Sequence, residues 1–294
     1  MRLFSFGLAA ILAFVPMIAS AQSPKVAGPV HTLTAREVVE RIQTHVGVLW
    51  QKETVDTFKA GDPDTRVTGI AVTMMATLDV LQRAAQAGDN LVITHEPTFY
   101  SHLDRIDDIP QKENDPVAAQ KLAFIQAHNL VVWRFHDHWH SRKPDGIEAG
   151  MIHALGWEAF QDQENPYLFT IPATTLEKLA AELKARLQLR TMRVVGDPAM
   201  KLTRIALSPG AAGMETELQA LEIPGVQLLI TGESREWETV EYAADALSEK
   251  KQKALIVLGH IPSEQAGMEE CARWLKPFVP EVRVEFVPAV QPFW

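Results

Sequence analysis

Short aliphatic runs, most of them followed by a segment of helical period, recur through this chain. Residues 67–72, 90–94, 130–135, 192–195, 204–207, 226–231 and 254–258 are such runs. A strand without polar alternation is buried on both faces, which calls for helices above and below and crossover connections between parallel neighbours. The helices carry their own end signals. Leu78, Leu81 and Ala85 share one face and Gly88 closes that helix, while Asp115-Pro116 opens another that stops at Asn129. Residues 147–155 form a helix ended by Gly156. Thr174-Thr175-Leu176-Glu177 reads as a capping box for a helix to about Leu187, and Val240, Ala243, Ala244 and Leu247 line a later one. The expected class is α/β, with a largely parallel or mixed sheet covered on both faces.

The ends of the chain read differently. Arg2 precedes an uncharged apolar stretch, and Ala19-Ser20-Ala21 supplies the small-x-small pattern of a cleavage site, so residues 1–21 are expected to be a signal peptide. The mature protein is then periplasmic or secreted. No later segment has the uninterrupted apolar length of a transmembrane helix, so no membrane association is expected after cleavage. Residues 22–34 are expected as a flexible linker, 35–280 as the folded part and 281–294 as a C-terminal tail. The polar, Pro-containing stretch 156–174 is the expected hinge, between lobes of about 35–156 and 174–280. Removing Arg2 with the leader takes the net charge from −9 to about −10, a surface that does not recruit nucleic acid or anionic lipid. Cys271 is the one cysteine; an exported chain then makes no internal disulfide, and this thiol sits in a helical apolar pattern as a buried, inert group.

Four polar clusters fall at the carboxyl ends of expected strands, where open α/β sheets collect ligands. They are His95-Glu96, His136-Asp137-His138-Trp139-His140, Glu233, and Gly259-His260-Ile261-Pro262-Ser263-Glu264. Each alone also reads as a solvated loop or a helix start, with Pro262 near the first turn and Ser263 as cap. Together, imidazoles and carboxylates suit Zn, Mn or Fe better than Ca²⁺ or Mg²⁺. His95-Glu96 puts both ligand types on consecutive residues, and His260 and Glu264 return to one cavity across a strand-to-helix corner. Ser208-Pro209-Gly210-Ala211-Ala212-Gly213 is a Gly-rich loop that serves either an anion or a tight connection. Leu91-Val92-Ile93-Thr94-His95-Glu96 is echoed by Leu228-Leu229-Ile230-Thr231-Gly232-Glu233. Nucleophile-elbow, P-loop, His-Glu-x-x-His and dinucleotide motifs are missing.

At these residues the chain resembles the dinuclear-metal-centre proteins named for NGG-interacting factor three, often labelled type 2 GTP cyclohydrolase I, over about residues 35–280. The family's Thr-His-His-Pro strand end stands here as Thr94-His95-Glu96-Pro97, and its His-Thr-Asn-Leu-Asp loop and Gly-Val-Asn turn align with His136–His140 and Gly146-Ile147-Glu148. Its Gly-Ala-Gly loop matches 209–213, and its Thr-Gly-Asp strand end matches Thr231-Gly232-Glu233. Its Gly-His-x-x-[Ser/Thr]-Glu motif is intact at Gly259–Glu264. The resemblance implies a two-lobed αβ(α) subunit with two divalent transition-metal ions between the lobes, held by His95, Glu96, His140, His260 and Glu264. His136 and His138 would line the pocket as proton shuttles, with Asp137 and Glu233 as further pocket residues. It also implies a homo-oligomer, a toroidal hexamer with the metals facing an internal cavity.

Two departures are visible: Glu96 stands for the family's second histidine and His140 for its aspartate, so the total ligand charge is conserved. The leader is a third, since relatives with that label are mostly cytoplasmic and GTP is absent outside the membrane. The expected activity is metal-dependent hydrolysis of a small molecule. The rival expectations are a metal-binding or scavenging envelope protein, or a scaffold with a structural metal.

Overall fold

The computed structural model describes residues 32–105 and 116–294; the expected leader, most of the linker and the Asp115 cap lie outside them. The elements run α1 (Ala35–His45), β1 (Phe58–Ala60), β2 (Ile70–Met75), α2 (Leu78–Ala87), β3 (Leu91–Glu96), α3 (Pro116–Ala127), β4 (Val131–Arg134), α4 (Asp137–Ser141) and α5 (Gly146–Leu155). They continue with β5 (Leu168–Thr175), α6 (Leu176–Arg186), β6 (Arg193–Val195), β7 (Lys201–Ser208), α7 (Met214–Glu222), β8 (Leu228–Thr231), α8 (Glu241–Ser248), β9 (Ala254–Val257), α9 (His260–Leu275) and β10 (Val284–Phe286).

These form two mixed sheets covered by helices. The first has the order β1-β4-β3-β2-β10, with β1 antiparallel to β4 and the rest parallel. The second has the order β5-β7-β8-β9-β6, with parallel β7, β8 and β9 flanked by antiparallel β5 and β6. The two echoing hexapeptides therefore supply β3 and β8, the middle strand of each sheet. β2, β3, β4, β8 and β9 are buried almost throughout, as aliphatic runs without alternation require. Gly88 and Gly156 end their helices in the left-handed conformation, as read from the sequence. No helix among the described residues is long and apolar enough to cross a membrane.

Three readings change. The stretch 156–174 is largely not a hinge, because β5 occupies its second half and pairs with β7; Pro172 is tolerated there since β5 is an edge strand. The capping box at Thr174 does not form. Thr174 still belongs to the ladder opposite Leu202, and Thr175 caps α6 through the Lys178 amide. A capping box forms instead at the head of α1, where Thr34 and Glu37 exchange side-chain and backbone bonds. Finally, residues 284–286 of the expected tail add β10 to the first sheet beside β2.

α9 decides how the two sheets meet. It leaves β9 of the second sheet, yet Met268, Cys271, Ala272 and Leu275 pack in the first sheet's core. α5 does the reverse, with Ile147 in the first core and Met151, Ile152 and Leu155 in the second. The two helices cross at Gly150 and Gly267, where a Cβ on Gly150 would lie 2.5 Å from Gly267 Cα and one on Gly267 would run into the Ile147 backbone. Gly267→Val is expected to destabilise by about 2–3 kcal/mol, the usual cost of overpacking a close contact; a denaturant melt within 0.5 kcal/mol of wild type (about the scatter of a surface change) would contradict this packing. Cys271 is fully buried, and burial pushes its thiol pKa up, which leaves it unreactive.

Candidate metal centre

The carboxyl ends of β3 and β4 in one sheet and of β8 and β9 in the other supply the site. His95 and Glu96 are the last residues of β3 and are buried. His136 follows β4 and leads into α4, whose single turn brings His140 back toward β3. His260 opens α9 directly, so His260 and Glu264 lie one helical turn apart on one face, rather than across a corner. Ser263 accordingly does not cap the helix. Its buried hydroxyl accepts from the Gly210 amide at 3.0 Å and donates to the His260 carbonyl at 2.8 Å, tying the Gly-rich loop to α9.

Four imidazoles share one arrangement, each with Nδ1 engaged on the side away from the centre. His95 Nδ1 lies 3.1 Å from the Phe135 carbonyl, His136 Nδ1 2.9 Å from Asp137, His140 Nδ1 2.8 Å from Asp145, and His260 Nδ1 3.2 Å from Glu233. An Nδ1–H donated to an oxygen leaves Nε2 with its lone pair free, and outward carboxylate or carbonyl partners of this kind orient metal-ligating histidines. The Nε2 atoms turn inward. Those of His95 and His140 face each other at 3.1 Å, two lone pairs that repel unless a proton or a cation lies near them.

The carboxylates complete the set. Glu264 Oε2 lies 3.1 Å from His260 Nε2 and 3.6 Å from His95 Nε2, and makes no hydrogen bond despite complete burial. Glu96 Oε1 lies 3.5 Å from His260 Nε2 and 3.7 Å from His136 Nε2. Its other oxygen faces Arg134 at 3.4 Å, a fully buried guanidinium that also donates to the carbonyls of His95 and His102. His95, His136 and His140 form one group of converging ligand atoms and His95, Glu96 and Glu264 a second. An orphaned carboxylate oxygen beside lone pairs aimed at one region fits a divalent cation.

Electrostatics follow from burial and these partners. Burial, with His136 and His140 nearby, holds the His95 pKa well below the usual histidine value. Burial likewise lowers His136, helped by His140. At His140 burial acts downward, but the Asp145 carboxylate outweighs it and the net shift is up. At His260 burial is overcome by Glu233, Glu264 and Glu96, which raise it to about 12. The metal-free centre therefore stores a proton on His260.

Two expected pocket residues are placed elsewhere. His138 is fully buried, its Nδ1 2.6 Å from Asp56, its Nε2 accepting from the Gln51 amide at 2.8 Å and its ring stacked on Trp50. With both nitrogens committed away from the cavity it carries no proton to the site. Asp137 points back to Thr54, Val55 and His136, so it orients His136 rather than lining the pocket. Glu233 reaches the centre only through His260. Asp56, Arg134 and Asp145 were not read from the sequence. Arg134 had a signal, as a lone charge in an aliphatic strand, and Asp145 had another, as the cap whose carboxylate accepts from the Ile147 and Glu148 amides. Asp56 had none.

Gly210 shows how closely the Gly-rich loop approaches. Its φ is +72°, and a Cβ there would run into Glu264 Oε1. With its amide on Ser263 and its carbonyl accepting from Glu233, the loop acts as a tight connection. Gly210→Ala is expected to cost about 1–2 kcal/mol from the left-handed backbone alone and to displace Glu264, seen as weaker metal binding. Unchanged metal affinity would refute the contact.

A family model described as DUF34/NIF3 (NGG1p interacting factor 3) matches residues 34–292. A Clostridium acetobutylicum protein named GTP cyclohydrolase 1 type 2 homolog is 23% identical over 215 residues, covering 69% of this chain and 75% of the relative. A Clostridium perfringens protein of the same name is 22% identical over 214 residues, covering 69% and 76%. Among solved structures, a Staphylococcus aureus protein is similar with a TM-score of 0.68 at 19% identity, over 89% of this chain and 99% of that one. A Bacillus cereus protein related to NIF3 gives 0.68 at 14% identity, over 90% and 99%. These folds, two sheets joined as described, accompany a profile that spans nearly all of the described residues: the chain belongs to the DUF34/NIF3 family.

Proposed function

We propose that this chain is an exported metal-dependent hydrolase with a dinuclear centre held by His95, Glu96, His140, His260 and Glu264. The observation that carries the reading is the set of four imidazoles pinned at Nδ1 with Nε2 turned inward around the orphaned Glu264 oxygen. When bound, Zn, Mn or Fe ions supply Lewis acidity and lower the pKa of water. The chain's own groups do the rest. Glu96, backed by Arg134, and Glu264 balance the charge of the site, and Gly210 shields Glu264 from one side. His136 is neutral at physiological pH, with Nδ1 on Asp137 and Nε2 toward Glu96, and is the residue placed to take up and return a proton. The family relatives named for GTP cyclohydrolase support ring or amide hydrolysis as the reaction type.

Metal analysis of protein purified from the exported fraction tests this, followed by a hydrolase screen of wild type beside Glu264→Ala. Two ions per chain and turnover lost with chelator or in Glu264→Ala are expected. Less than one ion per chain after supplementation would overturn the centre, and two ions without metal-dependent turnover would overturn the enzyme. Recovery of the full-length chain, residues 1–21 included, from the cytosol would overturn export.

The stored proton sets a pH dependence. Below a pKa of about 12 the metal-free His260 is protonated, so binding a metal through its Nε2 releases that proton. Affinity is therefore expected to fall about tenfold for each pH unit lowered across the neutral range. Isothermal titration at two pH values in buffers of different ionisation enthalpy checks it, and zero proton release would contradict it.

A further inference from the structure

The cavity that opens from the metal centre extends well past the ligands. Its volume is about 790 Å³, the size of a site for a whole small molecule rather than for water and ions. Beyond Glu264 and His260 its walls are mainly aliphatic, with Ile147 from α5, Leu168 from β5, Ala206 from β7, and Ala220 and Ile223 at α7. Among the described residues, no lysine or arginine lines it, while Glu96, Asp145, Glu148 and Glu264 do. A triphosphate needs several cationic or amide donors, and Glu96, Asp145 and Glu264 repel one beyond what metal ions neutralise.

One polar group in this wall is unexplained by the centre. Glu148 lies in the first turn of α5, only 4% exposed, and its Oε1 has no hydrogen-bond partner. An unpartnered carboxyl costs free energy wherever it is buried, so its retention at a cavity wall points to a ligand that completes it. Burial, with Asp145 adding to it, pushes this carboxyl up to about 8, so at neutral pH it is mostly protonated and both donates and accepts.

Resting on the hydrolase reading above, we propose that this cavity binds an uncharged substrate with an apolar or aromatic body and a carboxamide, lactam or ester head, and that Glu148 is the specificity residue that hydrogen-bonds that head. Phosphorylated nucleotides are excluded as substrates of this chain. The carboxyl O–H meets a carbonyl and its second oxygen accepts an amide N–H, while the aliphatic wall covers the body.

Binding of 2-naphthamide and of 2-ethylnaphthalene to the full protein, measured by equilibrium dialysis in EDTA, tests the proposal without the metals. Wild type is expected to bind the amide at least tenfold more tightly than the hydrocarbon. Glu148→Gln, which keeps a donor and an acceptor, retains that ratio, and Glu148→Leu brings it close to one. Ala220→Trp, on the half-buried face of α7, weakens both ligands at least tenfold by filling the cavity and keeps the test open should Glu148→Leu fail to fold. Millimolar GTP leaves bound naphthamide in place. An unchanged ratio in Glu148→Leu, no effect of Ala220→Trp, or displacement by GTP would each overturn the proposal. Failure of the metal reading shows instead in ion content and turnover, which this experiment does not use.

Discussion

Glu264→Ala is expected to lower affinity for Mn²⁺ or Zn²⁺ by at least about 100-fold, since even partners one shell further out are worth 10–100-fold at metal sites. The residue is 3% exposed, stands one helical turn after His260, and leaves Oε2 without a hydrogen bond between His260 and His95. In the metal-free chain this carboxylate faces the protonated His260, whose charge Glu233 and Glu96 still balance once Glu264 is removed, so its contribution to the metal-free fold is small. The metal-free variant should therefore melt within about 1 kcal/mol of wild type, while the metal-loaded proteins separate widely, as mass action stabilises only the chain that binds. Calorimetric titration and melting with and without chelator check both halves. Affinity within threefold of wild type would remove Glu264 from the ligand set.

Asp56→Ala is expected to have the largest effect on stability, about 3–5 kcal/mol, as for breaking a buried charged network by removing one partner. Asp56 is 4% exposed and accepts from the backbone amides of His136, Asp137 and His138 at 2.6, 2.9 and 2.9 Å, and lies 2.6 Å from His138 Nδ1. Alanine leaves four donors unmet, the two of His138 buried, in a turn that carries both His136 and His140. At the slope usual for a chain of this size the melting temperature should drop by roughly 10 °C. Asp56→Asn keeps one acceptor oxygen and should lose about half as much. A fall below about 1 kcal/mol in Asp56→Ala would mean that the turn is held by other contacts.

The two predictions fall on different sides of what the sequence discloses. Glu264 was legible, because His260 and Glu264 stand in a motif whose spacing survives any detail of packing. His95 and Glu96 were legible for a related reason: an aliphatic strand that stops at two ligand-type residues marks its own carboxyl end. The loop 136–140 was legible as a cluster but not as an arrangement. Three histidines and an aspartate in five residues all present ligand atoms, and whether each turns inward or outward is set by α4, a single helical turn anchored by Asp56 from 80 residues earlier. That His138 and Asp137 turn away from the cavity is therefore invisible in the sequence.

What the sequence by itself determined is the set of local facts: the α/β class, most strands and helix ends, and the strand-end positions of His95, Glu96, His260 and Glu264. Each follows from burial periodicity or backbone chemistry within about one element's length. What only the tertiary structure decided is everything that depends on distant segments meeting. This covers the pairing of 168–175 with β7, the return of 284–286 to β2, the crossing of α5 and α9, and the orientation of every imidazole by Asp56, Asp137, Asp145, Glu233 or a carbonyl. A side chain's direction at such a centre is fixed by the partner on its far nitrogen, and that partner is near in space without being near in sequence.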